Sequence, residues 1–263
     1  MYWPDPVAFH LGPLAIHWYG LSYLVSFSLI CYLIHHSNER KQMLSDDDLA
    51  SFSNQVMLAI ILGGRLGYVM FYQPNWILSD PVKIIQIWKG GMSFHGALMG
   101  GLLMTHLFCR LKCISTFKMM DLVSLYIPIG LFFGRIANFI NQELPGRVTD
   151  VAWGVVFPKV DTFSRHPSQL YEAFFEGFML FILVRVYSSY FQIYTGARSF
   201  FCLVMYATFR FFIEYFRQPD PQLGLLIMNF SMGQILSLVM LFMGLVGFMM
   251  TQWYSKNDQN KLA

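Results

Sequence analysis

Long apolar runs punctuate the chain, and seven of them are long enough to cross a hydrocarbon core, which needs about 20 helical residues. They fall near residues 17–36, 51–72, 93–110, 119–141, 173–194, 199–216 and 229–254. The pattern predicts an all-α polytopic membrane protein with seven transmembrane helices, forming one integral membrane domain over residues 1–263. Two intervening stretches differ from simple loops. Residues 75–89 form an amphipathic segment suited to an interface, with Trp76, Ile77, Ile84, Ile85 and Trp88 as apolar anchors. Residues 142–172 carry Pro145, Pro158 and Pro167 and predict a small ordered head between the fourth and fifth spans. Glycines four apart, Gly63 with Gly67, Gly96 with Gly100 and Gly130 with Gly134, mark the second, third and fourth spans as a tightly packed centre. Pro128 predicts a kink in the fourth span.

Composition agrees. Of 263 residues, 56% are hydrophobic and 13% charged, against about 25% charged in a soluble domain. The net charge of +3, without a basic run, gives no reason to expect nucleic acid as a partner. Cys31, Cys109, Cys113 and Cys202 lie in or beside apolar runs and match no zinc spacing, so they read as packing residues. The first residues, Met1-Tyr-Trp-Pro-Asp-Pro, lack a basic region and a cleavage site, and the first span is expected to direct insertion itself. With the N-terminus outside, the inner set of cations is Arg40, Lys41, Arg110, Lys112, Lys118, Arg185, Arg198, Lys256 and Lys261. The outer set is Lys83, Lys89, Arg147, Lys159, Arg165 and Arg217. This bias favours an outer N-terminus and an inner C-terminus.

Depth then sorts the polar residues. Arg65, Arg135 and Arg210 each lie six or seven residues before the outer end of their span, or roughly 9–10 Å below the surface. His95, His17, Tyr19, Glu143 and Glu214 lie close to the same level, whereas the inner half of the bundle is almost purely apolar. An arginine at the centre of a span costs roughly 2.5–3.5 kcal/mol on insertion scales, so one that is kept faces the interior and binds something. Bland alternatives stand beside each functional reading. Arg210 and Glu214, spaced i, i+4, could simply neutralise each other. Arg65 could bind helix carbonyls or a lipid headgroup, and His95 could be a satisfied bundle histidine. Arg135 has no acid within a turn on its own helix, so its partner must come from elsewhere. Asn138 shares its face. Paired guanidinium groups at one depth suit a phosphate, and a phosphate reached from the outer half of a membrane is most simply a phospholipid headgroup. The motifs of soluble serine hydrolases, zinc peptidases and phosphate loops are absent from the sequence.

Several motifs carry a family resemblance: His17-Trp-Tyr-Gly20, Gly64-Arg-Leu-Gly-Tyr68, Gly91-Met-Ser-Phe-His-Gly96, the stretch Gly134 to Glu143, Arg165-His-Pro-Ser-Gln-Leu-Tyr-Glu172, Phe216-Arg-Gln-Pro-Asp220 and Ser231-Met-Gly-Gln-Ile-Leu236. In this order they resemble bacterial prolipoprotein diacylglyceryl transferases through nearly the whole chain. Ala97, Ala137 and Gln142 depart from that pattern, standing where the family usually has glycine. The resemblance implies a seven-span enzyme of the bacterial inner membrane, with periplasmic N-terminus and head and cytoplasmic C-terminus. It would transfer the diacylglyceryl group of phosphatidylglycerol to the lipobox cysteine thiol of a preprolipoprotein, forming a thioether and releasing sn-glycerol 1-phosphate. Matched by motif, Arg135 and Arg210 are the essential arginines, and His95, Asn138, Glu143, Gly146, Tyr19, Tyr206 and Glu214 are further functional positions. Arg65 joins them as a candidate lipid ligand on depth.

The expected chemistry puts the phosphate on Arg135 and Arg210, which stabilise charge as the glyceryl C–O bond breaks. His95 is the candidate base for the thiol, with Glu143 competing. No metal or organic cofactor is implied. The rival reading is a transporter or flippase for an anionic lipid or anion. It fits less well, because transporters bind near the midplane and often show repeated halves, whereas the polar layer here is off-centre.

Overall fold

The computed structural model describes residues 3, 5–12, 14–191, 194–219 and 229–262, so Asp220 of the expected Phe216–Asp220 motif lies outside the described residues. The chain opens with β1 (Val7–Leu11) and β2 (Leu14–His17), followed by α1 (Trp18–His36), α2 (Asp46–Tyr72) and α3 (Phe94–Leu111). Then come α4 (Thr116–Ser124) and α5 (Ile127–Asn141), β3 (Val155–Val156) and β4 (Ser164–Arg165), and α6 (Ser168–Glu172). A π-helical turn, Ala173–Met179, leads into α7 (Leu180–Tyr190), and α8 (Ala197–Ile213) and α9 (Met232–Leu262) complete the chain. Each expected apolar run is helical over most of its described length. By length and apolarity α1, α2 and α9 can each cross a membrane, and the bent pair α4–α5 makes a fourth if it counts as one span. The protein is a mostly helical, multi-pass membrane protein.

It is not purely helical. β1 and β2 pair antiparallel, with Leu11 opposite Leu14 and a bulge between Val7 and Phe9. Gly12, at φ +58°, makes the turn. The head contains a second short antiparallel pair, β3 with β4.

Contacts divide the chain into two compact units, Met1–Ile34 with Asp121–Ala263, and His35–Met120. In the second unit α2 and α3 touch backbone to backbone. A Cβ on Gly67 would stand 2.8 Å from the Gly96 Cα, and one on Gly63 would run into the Gly96 carbonyl. The glycine spacing thus produces the close approach it predicted. The interfacial segment forms short helical turns, Trp76–Ser79, Val82–Ile85 and Ile87–Lys89. It leaves Ile77, Ile85 and Trp88 exposed.

α5 belongs to the first unit and follows α4 after a 47° bend. Pro128 causes it, because its ring excludes the carbonyl four residues back, that of Ser124, where α4 ends. The freed Ser124 carbonyl accepts the Cys202 thiol at 3.7 Å, so the kink leaves no orphan acceptor there. The far end of this unit corrects the expectation of an apolar inner half. Asp121 is buried and caps α8 from another helix, accepting the N–H groups of Gly196 at 2.6 Å and Ser199 at 2.8 Å. Arg198, expected as a loop charge, is buried and donates to the Asp121 carbonyl. The cap satisfies the orphan donors that any helix start leaves.

Candidate functional site

The site is built where α5, the α6–π segment and α8 meet in the first unit. Gly177 in the π turn has no side chain to hold α5 off, and a Cβ there would lie 2.6 Å from that of Phe132. That contact, one turn before Arg135, lets carboxylates of the π segment reach the arginine. Arg135 lies 3.2 Å from Glu172 through Nη1, and its Nη2 donates to Glu176 Oε2 at 3.2 Å. Arg210 on α8 donates to Glu172 Oε1, stands 3.5 Å from Glu176 Oε1, and pairs with Glu214 at 2.8 Å. Arg217 comes within 3.5 Å of Glu172. Tyr206, one turn before Arg210, shares an electrostatic environment with Glu176, Glu172 and both arginines.

The partner that Arg135 lacked on its own helix is thus a pair of glutamates four residues apart. Both are absent from the expected site, although Glu172 closes one of the quoted motifs. A signal was available: two acids at i, i+4 opening an apolar run where each charge is costly. A π turn is itself a departure that recurs at functional sites.

Exposure separates the two signs of charge. The Glu172 and Glu176 side chains are 0% exposed, whereas those of Arg135, Arg210 and Arg217 keep 17%, 11% and 19%. Glu172 Oε2 and Glu176 Oε1 sit at ionic distance without a directed hydrogen bond. What exposure the cluster retains therefore belongs to the cations, and the two carboxylates that hold them are shielded. Glu214 is held in turn by α9. Ser231 Oγ donates to it at 3.0 Å while accepting the Gln234 N–H, and Gln234 Oε1 accepts the Ser231 N–H. This is a capping box, and Gly233 leaves room for the carboxylate, which a Cβ would meet at 2.6 Å.

A second group of expected residues gathers at the end of α5. Asn138 Nδ2 donates to Glu143 Oε2 at 3.0 Å and Asn141 Nδ2 to Oε1 at 3.4 Å. With Tyr19 and His17 of the N-terminal segment, Glu143 lines a groove of about 610 Å³ that also reaches Gly20 and Leu24. The helix ends in a Schellman motif: the Gln142 N–H bonds Phe139 O at 3.0 Å and the Glu143 N–H bonds Asn138 O at 2.9 Å. That motif puts Gln142 at φ +61°, which explains why glycine suits the position. Gln142 offsets the strain by accepting the Lys159 N–H at 2.9 Å.

Gly146 lies between two backbones. Its N–H bonds His166 O at 3.0 Å and it bridges to Arg217, so a Cβ would meet His166 on one side and Phe216 O on the other. In the same head, His166 donates or accepts through Nδ1 to the Tyr171 hydroxyl at 3.2 Å, and burial pushes its imidazole below the ordinary histidine value. The Arg165 guanidinium holds the Asp161 carboxyl below the usual range.

Two expected residues belong to the other unit. His95 is exposed in the first turn of α3, behind the N-cap Ser93, with its ring edge-on to Phe94. Arg65, the candidate lipid ligand on depth, has its donors directed at backbone carbonyls. It is 3% exposed and donates to the carbonyls of Ile84 at 2.8 Å, Lys83 at 2.5 Å, Gly91 at 3.0 Å and Gly90. Tyr68 and Trp76 flank it with their rings. Of the two bland alternatives the carbonyl one is realised, with the interfacial segment rather than a helix supplying the acceptors.

Comparison with known proteins places these residues in context. The family model described as prolipoprotein diacylglyceryl transferase matches residues 6–250. A phosphatidylglycerol–prolipoprotein diacylglyceryl transferase of Bordetella avium is 48% identical over 250 residues, covering 94% of each chain. One from Wolbachia pipientis of Culex pipiens is 44% identical over 92% of this chain and 93% of its own. The Rickettsia akari protein of the same name is 44% identical, covering 91% and 94%.

Proposed function

Because this chain belongs to the prolipoprotein diacylglyceryl transferase family, we propose that its arginine cluster is the phosphate clamp of that transfer. The protein is a transferase that moves the diacylglyceryl group of phosphatidylglycerol to the cysteine thiol of a prolipoprotein, the first step of lipoprotein maturation. The observation that carries the clamp is the pair Arg135 and Arg210, joined through shared, fully buried carboxylates while both guanidinium side chains keep partial exposure.

The thiolate attacks the diacylglyceryl carbon bonded to the phosphate oxygen. A C–S bond forms, the C–O bond breaks, and its electron pair stays on the departing glycerol 1-phosphate. Charge on the phosphate therefore grows during the step, from one negative charge toward two. Guanidinium groups fixed in place stabilise the product-like charge more than the ground state, which is what accelerates the reaction. Asn138, Tyr19, Tyr206, Gly146 and Glu214 shape the site around the lipid. His95 takes the thiol proton in this reading. A second reading gives that role to Glu143, favoured by its two amide donors and its place in the groove beside Tyr19. The acceptor is a lipobox peptide. The enzyme sits in the bacterial inner membrane with seven spans, its N-terminus and head on the periplasmic side. The helical apolar runs and the lysine–arginine bias support that arrangement.

The test incubates purified protein with phosphatidylglycerol and a lipobox peptide and measures the peptide mass. A diacylglyceryl adduct is expected. Its absence with folded protein sinks the reading. Glutamine at position 95 should lower the rate strongly, and a mild loss moves the base to Glu143.

A further inference from the structure

The arginine cluster is matched in number. Among the described residues Arg135, Arg210 and Arg217 face Glu172, Glu176 and Glu214, three basic groups against three acidic ones. The two fully buried acids do different things. Glu172 touches all three arginines, so its removal would disorder the whole group. Glu176 touches only the two clamp arginines, one through each oxygen: Oε2 accepts from Arg135 at 3.2 Å, and Oε1 lies 3.5 Å from Arg210 without a directed bond. It is 0% exposed, so it acts through the arginines rather than on the substrate.

A transferase that binds a phosphodiester and releases a phosphomonoester has a release problem. The donor carries one charge and the product close to two. An uncompensated pair of guanidinium groups in a water-poor site would hold the product more tightly than the donor, because Coulomb attraction scales with charge and is weakly screened there.

We propose that Glu176 is a positioning residue that offsets the clamp's charge, so that Arg135 and Arg210 stabilise the developing dianion and still let glycerol 1-phosphate leave. This rests on the clamp reading above and adds the product-release role of a buried acid to it. The π turn fits the role: it sets Glu176 beside Gly177, where α5 packs closest, and so under both arginines.

The test is Glu176→Gln, which keeps the shape and removes the charge. Inhibition by added glycerol 1-phosphate should strengthen about tenfold or more, while kcat falls and KM for phosphatidylglycerol falls with it. Glu176→Asp restores the charge and should return product inhibition toward the wild-type value. Unchanged or weakened inhibition in the Gln variant overturns the proposal. Should that variant fail to fold, wild-type protein decides by comparing glycerol 1-phosphate with its monoanionic methyl ester. A balanced clamp predicts inhibition constants within about tenfold of each other, and a preference of about a hundredfold for the dianion contradicts it. Arg135→Ala separates the two layers of argument. If it leaves inhibition by glycerol 1-phosphate intact, the clamp itself is wrong, whatever Glu176→Gln does.

Discussion

Arg65 and Arg135 pose the same question in the sequence and receive opposite answers in the fold. Each is an arginine in an apolar helix at a similar distance from its end. Arg65 is closed off. Carbonyls of residues 83, 84, 90 and 91 take its donors, two aromatic rings flank it, and 3% of it stays exposed. Arg135 is backed by two buried carboxylates and keeps an open side. Carbonyls neutralise no charge but satisfy direction, so Arg65 is a staple for a segment that would otherwise lack partners. Carboxylates fix a guanidinium while leaving donors for a further anion. In the proposed reading, the kind of partner, rather than depth or cost of insertion, separates an arginine that holds the scaffold from one that is left to bind an anion.

That contrast can be broken most severely at the clamp. Arg135→Ala and Arg210→Ala should each lower adduct formation by about a hundred- to a thousandfold, the loss typical of removing one fixed donor to developing charge, with protein still inserted. Near-normal rates in either would erase the distinction. Arg65→Ala should act on stability instead. Four part-buried carbonyls lose a donor, at a net cost of about 1 kcal/mol for a typical hydrogen bond, so thermal unfolding in detergent should drop and proteolysis should appear within residues 73–91. Ser231→Ala removes a helix cap worth about 1 kcal/mol and a donor to Glu214. Turnover should fall several-fold, with Ser231→Thr restoring it. Gln142→Gly should be close to neutral, since relief of left-handed strain of about 1–2 kcal/mol is offset by loss of the Lys159 bond; Gln142→Val should destabilise.

The smallest expected effect is pH dependence in the head. His166 has its folded pKa depressed, so its contribution is full above the unfolded value near 6.5 and is lost as pH falls toward the folded one. Protection of amides in residues 145–167, taken relative to the intrinsic exchange rate at each pH, should fall from about pH 7.5 to about 5.5, and His166→Asn should flatten that fall.

Much of this was legible in the chain because it is local. The apolar runs are helical over most of their described length, Pro128 breaks the fourth where its ring must exclude the Ser124 carbonyl, and Gly63, Gly67, Gly96 and Gly100 mark a close backbone approach. Arg210 and Glu214, one turn apart, form the pair that their spacing allows. What stayed hidden depends on contacts between distant segments. Arg135 and Glu176 are 41 residues apart, and Arg65 finds its carbonyls 18 to 26 residues away. The Asp121 cap on α8 spans 75 residues. The N-terminal hairpin leaves little trace in the sequence pattern for another reason: it is short, and the strong apolar run that follows dominates.

The most direct measurement is phosphatidylglycerol retention on purified, folded variants, read by native mass spectrometry. The account predicts that Arg65→Ala, though less stable, carries lipid like the wild type, while Arg135→Ala and Arg210→Ala lose it. Lipid lost from Arg65→Ala and kept on Arg135→Ala would contradict it.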